Sequence, residues 1–206
     1  MAESHVVSTL KDLSRPVIID GGLATELENR GANLKSKLWS AELLSSNPRM
    51  ILDVHLAYLN AGARIIITAS DQASHRGYAD LGYREEFCDE MIERSVSIAI
   101  QARDQFLETH PHEQVIVAGS VGPFGAYLAD GSEYSGDYGV TEHELIEFHK
   151  RRLKVLGDSA IDMLACETIP CLPEAKALDH LLTGMNIPAW VCFSCKDNKH
   201  IHDGTA

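Results

Sequence analysis

The sequence lacks the features that mark membrane, secreted and nucleic-acid-binding proteins. No run approaches the ~18 consecutive apolar residues of a membrane-spanning helix, and the first residues, Met-Ala-Glu-Ser-His-Val-Val, have neither the basic region nor the apolar core of a signal peptide. The 206 residues include 18 Lys and Arg against 30 Asp and Glu, a formal net charge of −12. Nucleic acids and acidic lipids attract clustered positive charge, so the sequence predicts a cytoplasmic protein without either partner.

The sequence also lacks an even number of cysteines. The five cysteines are Cys88, Cys166, Cys171, Cys192 and Cys195. Most lie inside apolar runs, as reduced and buried thiols do, so we expect no disulfide framework. Cys166 has no identifiable base near it, and we interpret it as a small buried residue rather than a nucleophile.

The last two cysteines are followed by two histidines, in a spacing that faintly resembles a zinc site. The residues concerned are Cys192, Cys195, His200 and His202. Residues three apart on a strand point to opposite faces, and Cys192 stands between two apolar neighbours, which favours a buried core thiol. We therefore expect no four-ligand metal site here.

Five apolar segments, each ending in small or polar residues, predict β-strands that alternate with helices. The strands are expected at about 17–20, 64–70, 115–120, 162–168 and 189–194. Helices are expected at about 48–62, 84–108, 141–156 and 173–184, where apolar residues recur near the helical period. Strands and helices in this alternation form a parallel sheet.

A (β/α) barrel and a doubly wound sheet both fit this alternation. Polar residues at every strand's carboxyl end, and the lack of a Gly-x-Gly-x-x-Gly loop after the first strand, favour the barrel. A (β/α)8 TIM barrel has eight strands and about 250 residues, so we expect only about the first five β/α units here. Residues 1–16 are predicted to be a lead-in, and 17–206 a barrel domain that is incomplete at its C-terminus.

Two carboxylates stand at predicted strand ends. Asp20 follows the first strand and precedes Gly21 and Gly22, which let backbone and ligand approach closely; Glu167 lies near the end of the fourth strand. In a barrel the two would face one pocket, where they could hold a substrate ammonium group or act as an acid–base pair. The alternative is that each caps a neighbouring loop or helix.

Three histidines and one long polar segment give less specific indications. His55, His143 and His149 occupy helical positions and are interpreted as surface or packing histidines. The segment 126–140 is too long for a plain connector, and such loops at strand ends usually bind something.

Several long motifs are similar to those of homocysteine S-methyltransferases. They are Asp-Gly-Gly-Leu-Ala-Thr-Glu-Leu-Glu (20–28), Leu-Trp-Ser-Ala (38–41), Thr-Ala-Ser-Asp-Gln-Ala-Ser (68–74), Gly-Pro-Phe-Gly-Ala-Tyr-Leu-Ala-Asp-Gly-Ser-Glu-Tyr (122–134), Gly-Asp-Tyr-Gly-Val (136–140), Leu-Ala-Cys-Glu-Thr-Ile-Pro (164–170) and Phe-Ser-Cys-Lys-Asp (193–197). The resemblance runs from about residue 17 to the end. It is nearest to the branch that uses S-methylmethionine rather than betaine.

The resemblance implies a homocysteine-binding barrel. In it a zinc-bound homocysteine thiolate takes a methyl group from S-methylmethionine, or S-adenosylmethionine, to form methionine. It implies that Asp20, Gly21 and Glu167 contact homocysteine, and it places Gln72 in the motif that lines the pocket. Further candidates for the pocket lining are Gly22, Asp71, Ser120, Thr168 and Ser194. Asp71 stands where the family usually has an aromatic residue, and its charge could favour a cationic sulfonium.

The zinc ligands of the family are three cysteines, in a Gly-x-Asn-Cys motif and a Gly-Gly-Cys-Cys motif. Neither motif occurs here, so we expect zinc only in a full-length protein and none bound by this chain. Two hypotheses remain: a truncated methyltransferase that is inactive alone, or a non-catalytic amino-acid-binding or regulatory partner of a full-length subunit. An oligomer is possible in either case. A doubly wound enzyme with metal at Cys192, Cys195 and the late histidines is a less favoured third.

Overall fold

A parallel sheet of four strands forms the centre of the protein in a computed structural model that describes residues 16–36 and 38–206. The strands are β1 (Ile65–Ile67), β2 (Ile116–Val121), β3 (Met163–Ile169) and β4 (Ala189–Phe193). Their order is β1-β2-β3-β4, so each strand pairs with the next one along the chain. A doubly wound sheet reverses its order at a switch point. The described sheet has no such reversal, and the doubly wound alternative is therefore wrong.

The strand predicted at 17–20 is reduced to a single parallel bridge between Ile19 and Ile65. The backbone N–H of Asp20 donates to the Ile65 carbonyl at 2.9 Å, and that of Arg64 donates to the Ile18 carbonyl at 2.7 Å. The segment thus lies beside β1 where a further parallel strand would lie. It pairs on one side only and ends at the glycines, which keeps it too short to form a strand. Most of the predicted lead-in lies outside the described residues.

Helices follow the strands and pack on one face of the sheet. They are α1 (Leu23–Asn29), α2 (Leu43–Ser46), α3 (Pro48–Asn60), α4 (His75–Asp80), α5 (Glu85–Thr109), α6 (Phe124–Leu128), α7 (Glu142–Gly157) and α8 (Leu172–Leu182), with single 3₁₀ turns at Trp39–Glu42 and Ser132–Tyr134. The four helices predicted from sequence correspond to α3, α5, α7 and α8 within two residues. Nowhere in the described part of the chain is a helix both long and apolar enough to cross a membrane.

Local sequence explains where the principal helices begin. The Asn47 side chain accepts a hydrogen bond from the Met50 N–H at 3.3 Å, and Pro48 occupies the first position of α3. At the start of α7 the Thr141 hydroxyl accepts from the Glu144 N–H, while the Glu144 carboxylate accepts from the Thr141 N–H at 2.8 Å. This is the capping box that the sequence predicted.

The two faces of the sheet have different roles. One face joins the main core beneath the helices, and the other, here called the inner face, carries a separate apolar cluster of Ile65, Ile116, Ala118, Met163 and Ala165. Side chains alternate along a strand, so Ser120 and Glu167 stand on the inner face, two residues beyond Ala118 and Ala165. The inner face therefore changes from apolar to polar toward the carboxyl ends of the strands.

His55 is a buried histidine whose substitution should stabilise the protein. Its side chain on α3 is fully buried, and neither ring nitrogen has a hydrogen-bond partner among the described residues. Burial lowers its pKa to about 4, so the unfolded state binds the proton more tightly and stability falls as pH decreases from about 6.5 to 4. We expect His55→Leu to raise the free energy of unfolding by about 1 kcal/mol at pH 7, and by more at pH 5.

Urea unfolding at the two pH values measures this effect. His143→Leu, at an exposed position of α7, is the matched control and should leave stability nearly unchanged at both. A His55→Leu protein that is less stable than wild type at pH 5 would contradict the expectation.

Candidate functional site

A cavity of about 520 Å³ opens on the inner face at the carboxyl ends of the strands. We call it the carboxylate cavity. Eight of the nine residues that the sequence singled out line it: Asp20, Gly21, Gly22, Asp71, Ser120, Glu167, Thr168 and Ser194. Gln72 is half-buried next to Asp71 but is not part of the lining. The structure thus brings together residues that are up to 174 positions apart in the chain, because strand ends meet at one edge of a parallel sheet.

The lining of the carboxylate cavity is acidic. It contains Asp20, Asp71 and Glu167 and, within the described residues, no Lys, Arg or His side chain. Burial raises the pKa of Asp20 to about 7. Burial, and then the negative charges of Asp71 and Asp20, raise the pKa of Glu167 to about 7. Asp20 and Glu167 therefore lack a positive charge, which a bound cation would supply. Burial also raises the pKa of Asp71, and the nearby Arg152 guanidinium opposes that rise.

The segment around Asp20 is held firmly at the rim of the cavity. One carboxylate oxygen of Asp20 accepts a hydrogen bond from the Ile67 N–H at 2.9 Å. The Tyr58 hydroxyl donates to the Gly22 carbonyl at 3.2 Å, and a Cβ at Gly21 would lie 3.1 Å from the same hydroxyl. Gly21 therefore allows the chain to pack closely on Tyr58.

Glu167 projects from an irregular part of β3. The register between β3 and β4 shifts between Cys166 and Ile169, and Thr168 has a φ of 61°. A left-handed backbone is unusual for a β-branched residue and costs on the order of 1–3 kcal/mol. Irregularities of this kind re-aim side chains next to binding sites, and here the affected pair of residues lines the cavity.

Ser120 offers the cavity a hydroxyl group without a protein partner. The residue is 1% exposed, and its Oγ has no hydrogen-bond partner among the described residues. Its own backbone is fixed, because its N–H donates to the Thr68 hydroxyl oxygen at 2.9 Å and its carbonyl accepts from the Ser70 hydroxyl at 2.8 Å. A polar ligand in the cavity would complete the hydrogen bonding of Ser120.

The prediction that Cys192 is a core thiol is wrong. Cys192 is exposed and lines the cavity. The apolar neighbour Val191 packs in the main core instead, since adjacent residues of a strand face opposite sides. Cys195 is exposed as well, whereas Cys166 and the remaining two cysteines are buried as expected. Burial raises the pKa of Cys166 to about 12, which agrees with its interpretation as a non-nucleophilic residue.

The described residues do not fit a zinc site. Nowhere in the part of the chain that the structure describes do three or more His, Cys, Asp or Glu side chains come together in a group that could hold a metal ion. His200 instead pairs with Asp197 at 2.9 Å. The alternative of a metal centre built from Cys192, Cys195 and the late histidines is therefore wrong for these residues.

Sequence reasoning missed a fully buried polar group behind the cavity. It consists of Arg152 and His149 on α7 and Glu174 on α8, none more than 1% exposed. A signal was present: the buried stripe of α7 runs through 145, 148, 149, 152, 153 and 156, so His149 and Arg152 fall on its apolar face. His143, off that stripe, is exposed as expected.

These features define a class of protein. A sequentially ordered parallel α/β sheet with a cavity at the strand carboxyl ends is the arrangement in which (β/α) domains bind small ligands. The comparison with known sequences then gives the family. A sequence model of the homocysteine S-methyltransferase family matches residues 17–206, and the chain belongs to this family.

Similar proteins agree with that assignment. The chain is 50% identical over 194 residues to homocysteine S-methyltransferase YbgG of Bacillus subtilis (strain 168), covering 92% of this chain and 62% of that protein. It is 50% identical over 198 residues to homocysteine S-methyltransferase 2 of Zea mays, covering 91% and 58%. The crystal structure of the metallated form of homocysteine methyltransferase MmuM from Escherichia coli superposes with a TM-score of 0.91 at 46% identity, covering 97% and 70%. The chain thus spans about three fifths of these two curated relatives' length.

Proposed function

We propose that this chain provides the homocysteine-binding part of a homocysteine S-methyltransferase. The observation that carries the proposal is the carboxylate cavity, in which Asp20 and Glu167 have raised pKa values and no basic side chain to balance them. The α-ammonium group of an amino acid supplies the missing positive charge. Because the chain belongs to the homocysteine S-methyltransferase family, homocysteine is the amino acid that we expect to bind.

Each lining residue has a role in this proposal. Asp20 and Glu167 pair with the ammonium group. Because Gly21 and Gly22 have no side chain, the α-carbon and carboxylate of the substrate can lie close to the protein backbone there. Asp71, the third carboxylate, faces the positive charge of the methyl donor, a sulfonium such as S-methylmethionine or S-adenosylmethionine. In the overall reaction the donor's sulfonium becomes a thioether, the homocysteine sulfur gains the methyl group, and the thiol proton is released.

These residues bind and orient the substrates. None of them is given a chemical step on a metal. The Escherichia coli relative is known in a metallated form, but the described residues here do not fit a zinc site. We propose that the zinc ligands belong to a part of the barrel that these residues do not provide. In the same proposal, residues 17–206 form the first five units of a cytoplasmic (β/α)8 barrel, counting the segment beside β1 as the first strand.

The second candidate function is a non-catalytic one. A protein that binds the amino acid and pairs with a full-length subunit would keep the carboxylate cavity without metal ligands.

Isothermal titration calorimetry with L-homocysteine under reducing conditions at pH 8 tests the proposed binding. We expect saturable binding, and we expect none for 4-mercaptobutanoate, which has the thiol and the carboxylate but lacks the ammonium group. Equal affinity for the two compounds would overturn the proposed role of the carboxylates. Both candidates predict binding without methionine formation by these residues alone. Co-elution with a full-length homocysteine S-methyltransferase in size-exclusion chromatography separates them, since only the non-catalytic partner is expected to co-elute.

A further inference from the structure

Arg152 lies behind the carboxylate cavity and binds the backbone that follows two neighbouring strands, at Asp71 of the cavity lining and at Gly122. One guanidinium nitrogen donates to the Asp71 carbonyl at 3.0 Å. The other terminal nitrogen donates to the Gly122 carbonyl at 2.6 Å and to His149 Nδ1 at 2.8 Å. Asp71 follows β1 and Gly122 follows β2, so a single side chain joins the ends of two neighbouring strands.

The contacts of His149 fix its tautomer. Arginine has no acceptor, so Nδ1 of His149 must be unprotonated to receive the Arg152 N–H. The other ring nitrogen, Nε2, lies 2.8 Å from a Glu174 carboxylate oxygen and must carry the proton to donate to it. The imidazole is therefore neutral, with its proton on Nε2. It accepts a hydrogen bond from the buried Arg152 cation and donates one to the buried Glu174 carboxylate.

Glu174 extends the same chain of contacts to a third segment. Its Oε1 also accepts the Phe124 N–H at 2.6 Å, and its Oε2 accepts the Tyr138 hydroxyl at 2.9 Å. Phe124 begins α6, and Tyr138 lies in the long segment after it. Both carboxylate oxygens of Glu174 thus accept hydrogen bonds, from His149 and from the segment that follows β2.

We propose that Arg152, His149 and Glu174 form a positioning relay that fixes the loops after β1 and β2 and so holds Asp71 in place in the substrate pocket. None of the three lines the carboxylate cavity, so they act through the backbone they hold and not by touching a substrate. Buried charged groups are costly unless they are hydrogen-bonded, and among the polar side-chain atoms of these three residues only Arg152 Nε lacks a hydrogen-bond partner within the described part of the chain. An apolar stripe on α7 would pack the same helix, yet it would leave the Asp71 and Gly122 carbonyls without donors. The inference rests on the proposed function, because the pocket is taken to bind homocysteine.

The tautomer provides a test that needs neither activity nor a variant. In ¹⁵N-labelled protein at pH 7, the ring signals of His149 should show an unprotonated Nδ1 and a protonated Nε2. The assignment of the signals comes from their loss in His149→Gln. A protonated Nδ1, or a doubly protonated ring, would overturn the relay.

Variants then test the positioning role through homocysteine binding. Gln offers an acceptor and a donor about as far apart as the two ring nitrogens, so His149→Gln should retain affinity within about twofold, whereas His149→Leu and Arg152→Met should weaken it by about tenfold or more. Leu153→Ala is the matched control, since Leu153 is 1% exposed on the same helix and packs in the main core. It should lower the unfolding temperature but keep the affinity.

The outcomes separate this inference from the proposed function. If wild-type protein does not bind homocysteine while His149 shows the expected tautomer, the proposed function fails and the relay loses its role in this pocket. If wild type binds and His149→Leu binds equally well, the positioning role fails and the proposed function stands. Should Arg152→Met not fold, the comparison of His149→Gln with His149→Leu decides alone.

Discussion

Glu167→Gln should weaken homocysteine binding by about 100-fold at pH 8. The substitution keeps the size of the side chain and removes the charge that we pair with the substrate ammonium group. Removing one member of a buried hydrogen-bonded charge pair costs about 2–5 kcal/mol, and a 100-fold change corresponds to about 2.7 kcal/mol. Titration calorimetry with L-homocysteine measures the ratio of the two dissociation constants. An unchanged affinity would show that Glu167 does not bind the substrate.

The same variant should be more stable than wild type in the absence of ligand. The raised pKa of Glu167, about 7, means that the folded state holds the proton more tightly than the unfolded state does. Wild-type stability therefore falls as pH rises from about 4.5 to 7, and glutamine removes this loss. We expect the free energy of unfolding of Glu167→Gln to exceed that of wild type by about 1–2 kcal/mol at pH 8, and by little at pH 4.

Glu93→Gln is the matched control for both measurements. Glu93 is exposed on α5, so the substitution changes the net charge equally without touching the cavity. It should alter neither homocysteine affinity nor the pH dependence of stability. A Glu167→Gln protein that is both weaker in binding and less stable at pH 8 would indicate general damage instead of a lost contact.

Gly125→Ala should destabilise the protein by about 2–3 kcal/mol. Gly125 is buried in α6, and a Cβ there would lie 2.3 Å from the Glu133 nitrogen and 2.7 Å from the Ser132 carbonyl carbon. These are backbone atoms, so no side-chain rotation can make room, and the 3₁₀ turn that contains them must move away. Because the hydroxyl of Ser194, which lines the cavity, donates to the Glu133 carbonyl of that turn at 3.5 Å, we also expect homocysteine affinity to fall.

Urea unfolding measures the stability change, with Gly184→Ala as control. Nothing lies within 4 Å of a Cβ at Gly184, and its φ is not positive, so alanine there should be neutral or slightly stabilising. A Gly125→Ala protein as stable as wild type would show that the turn is not packed as described.

The sequence predicted the elements that depend on a strong local pattern. Strands β2 and β3 were expected from continuous apolar runs, and both lie within one residue of the prediction, because a strand buried on both faces must be apolar throughout. Asp20 and Glu167 were expected to meet, since carboxyl ends of parallel strands share one edge. Both line the cavity.

The features that the sequence did not predict depend on tertiary contacts. Cys192 was expected in the core because its neighbours are apolar, yet a strand places neighbours on opposite faces. His149 and Arg152 are polar residues on an apolar stripe, and only the structure shows that Glu174 and two backbone carbonyls accept hydrogen bonds from them, while Arg152 Nε has no partner among the described residues. The left-handed backbone of Thr168 has no sequence signal, since β-branched residues rarely adopt it.

The sequential order of the strands has a consequence for how the chain folds. Each strand pairs with the one before it, so no other strand of the described sheet intervenes between the two members of a pair. A chain with this topology can add one strand and helix at a time as it leaves the ribosome, without waiting for distant segments. At the β4 edge of the described sheet the Phe193 side chain is 43% exposed, and an uncovered edge strand of this kind can pair with another copy of the chain during folding.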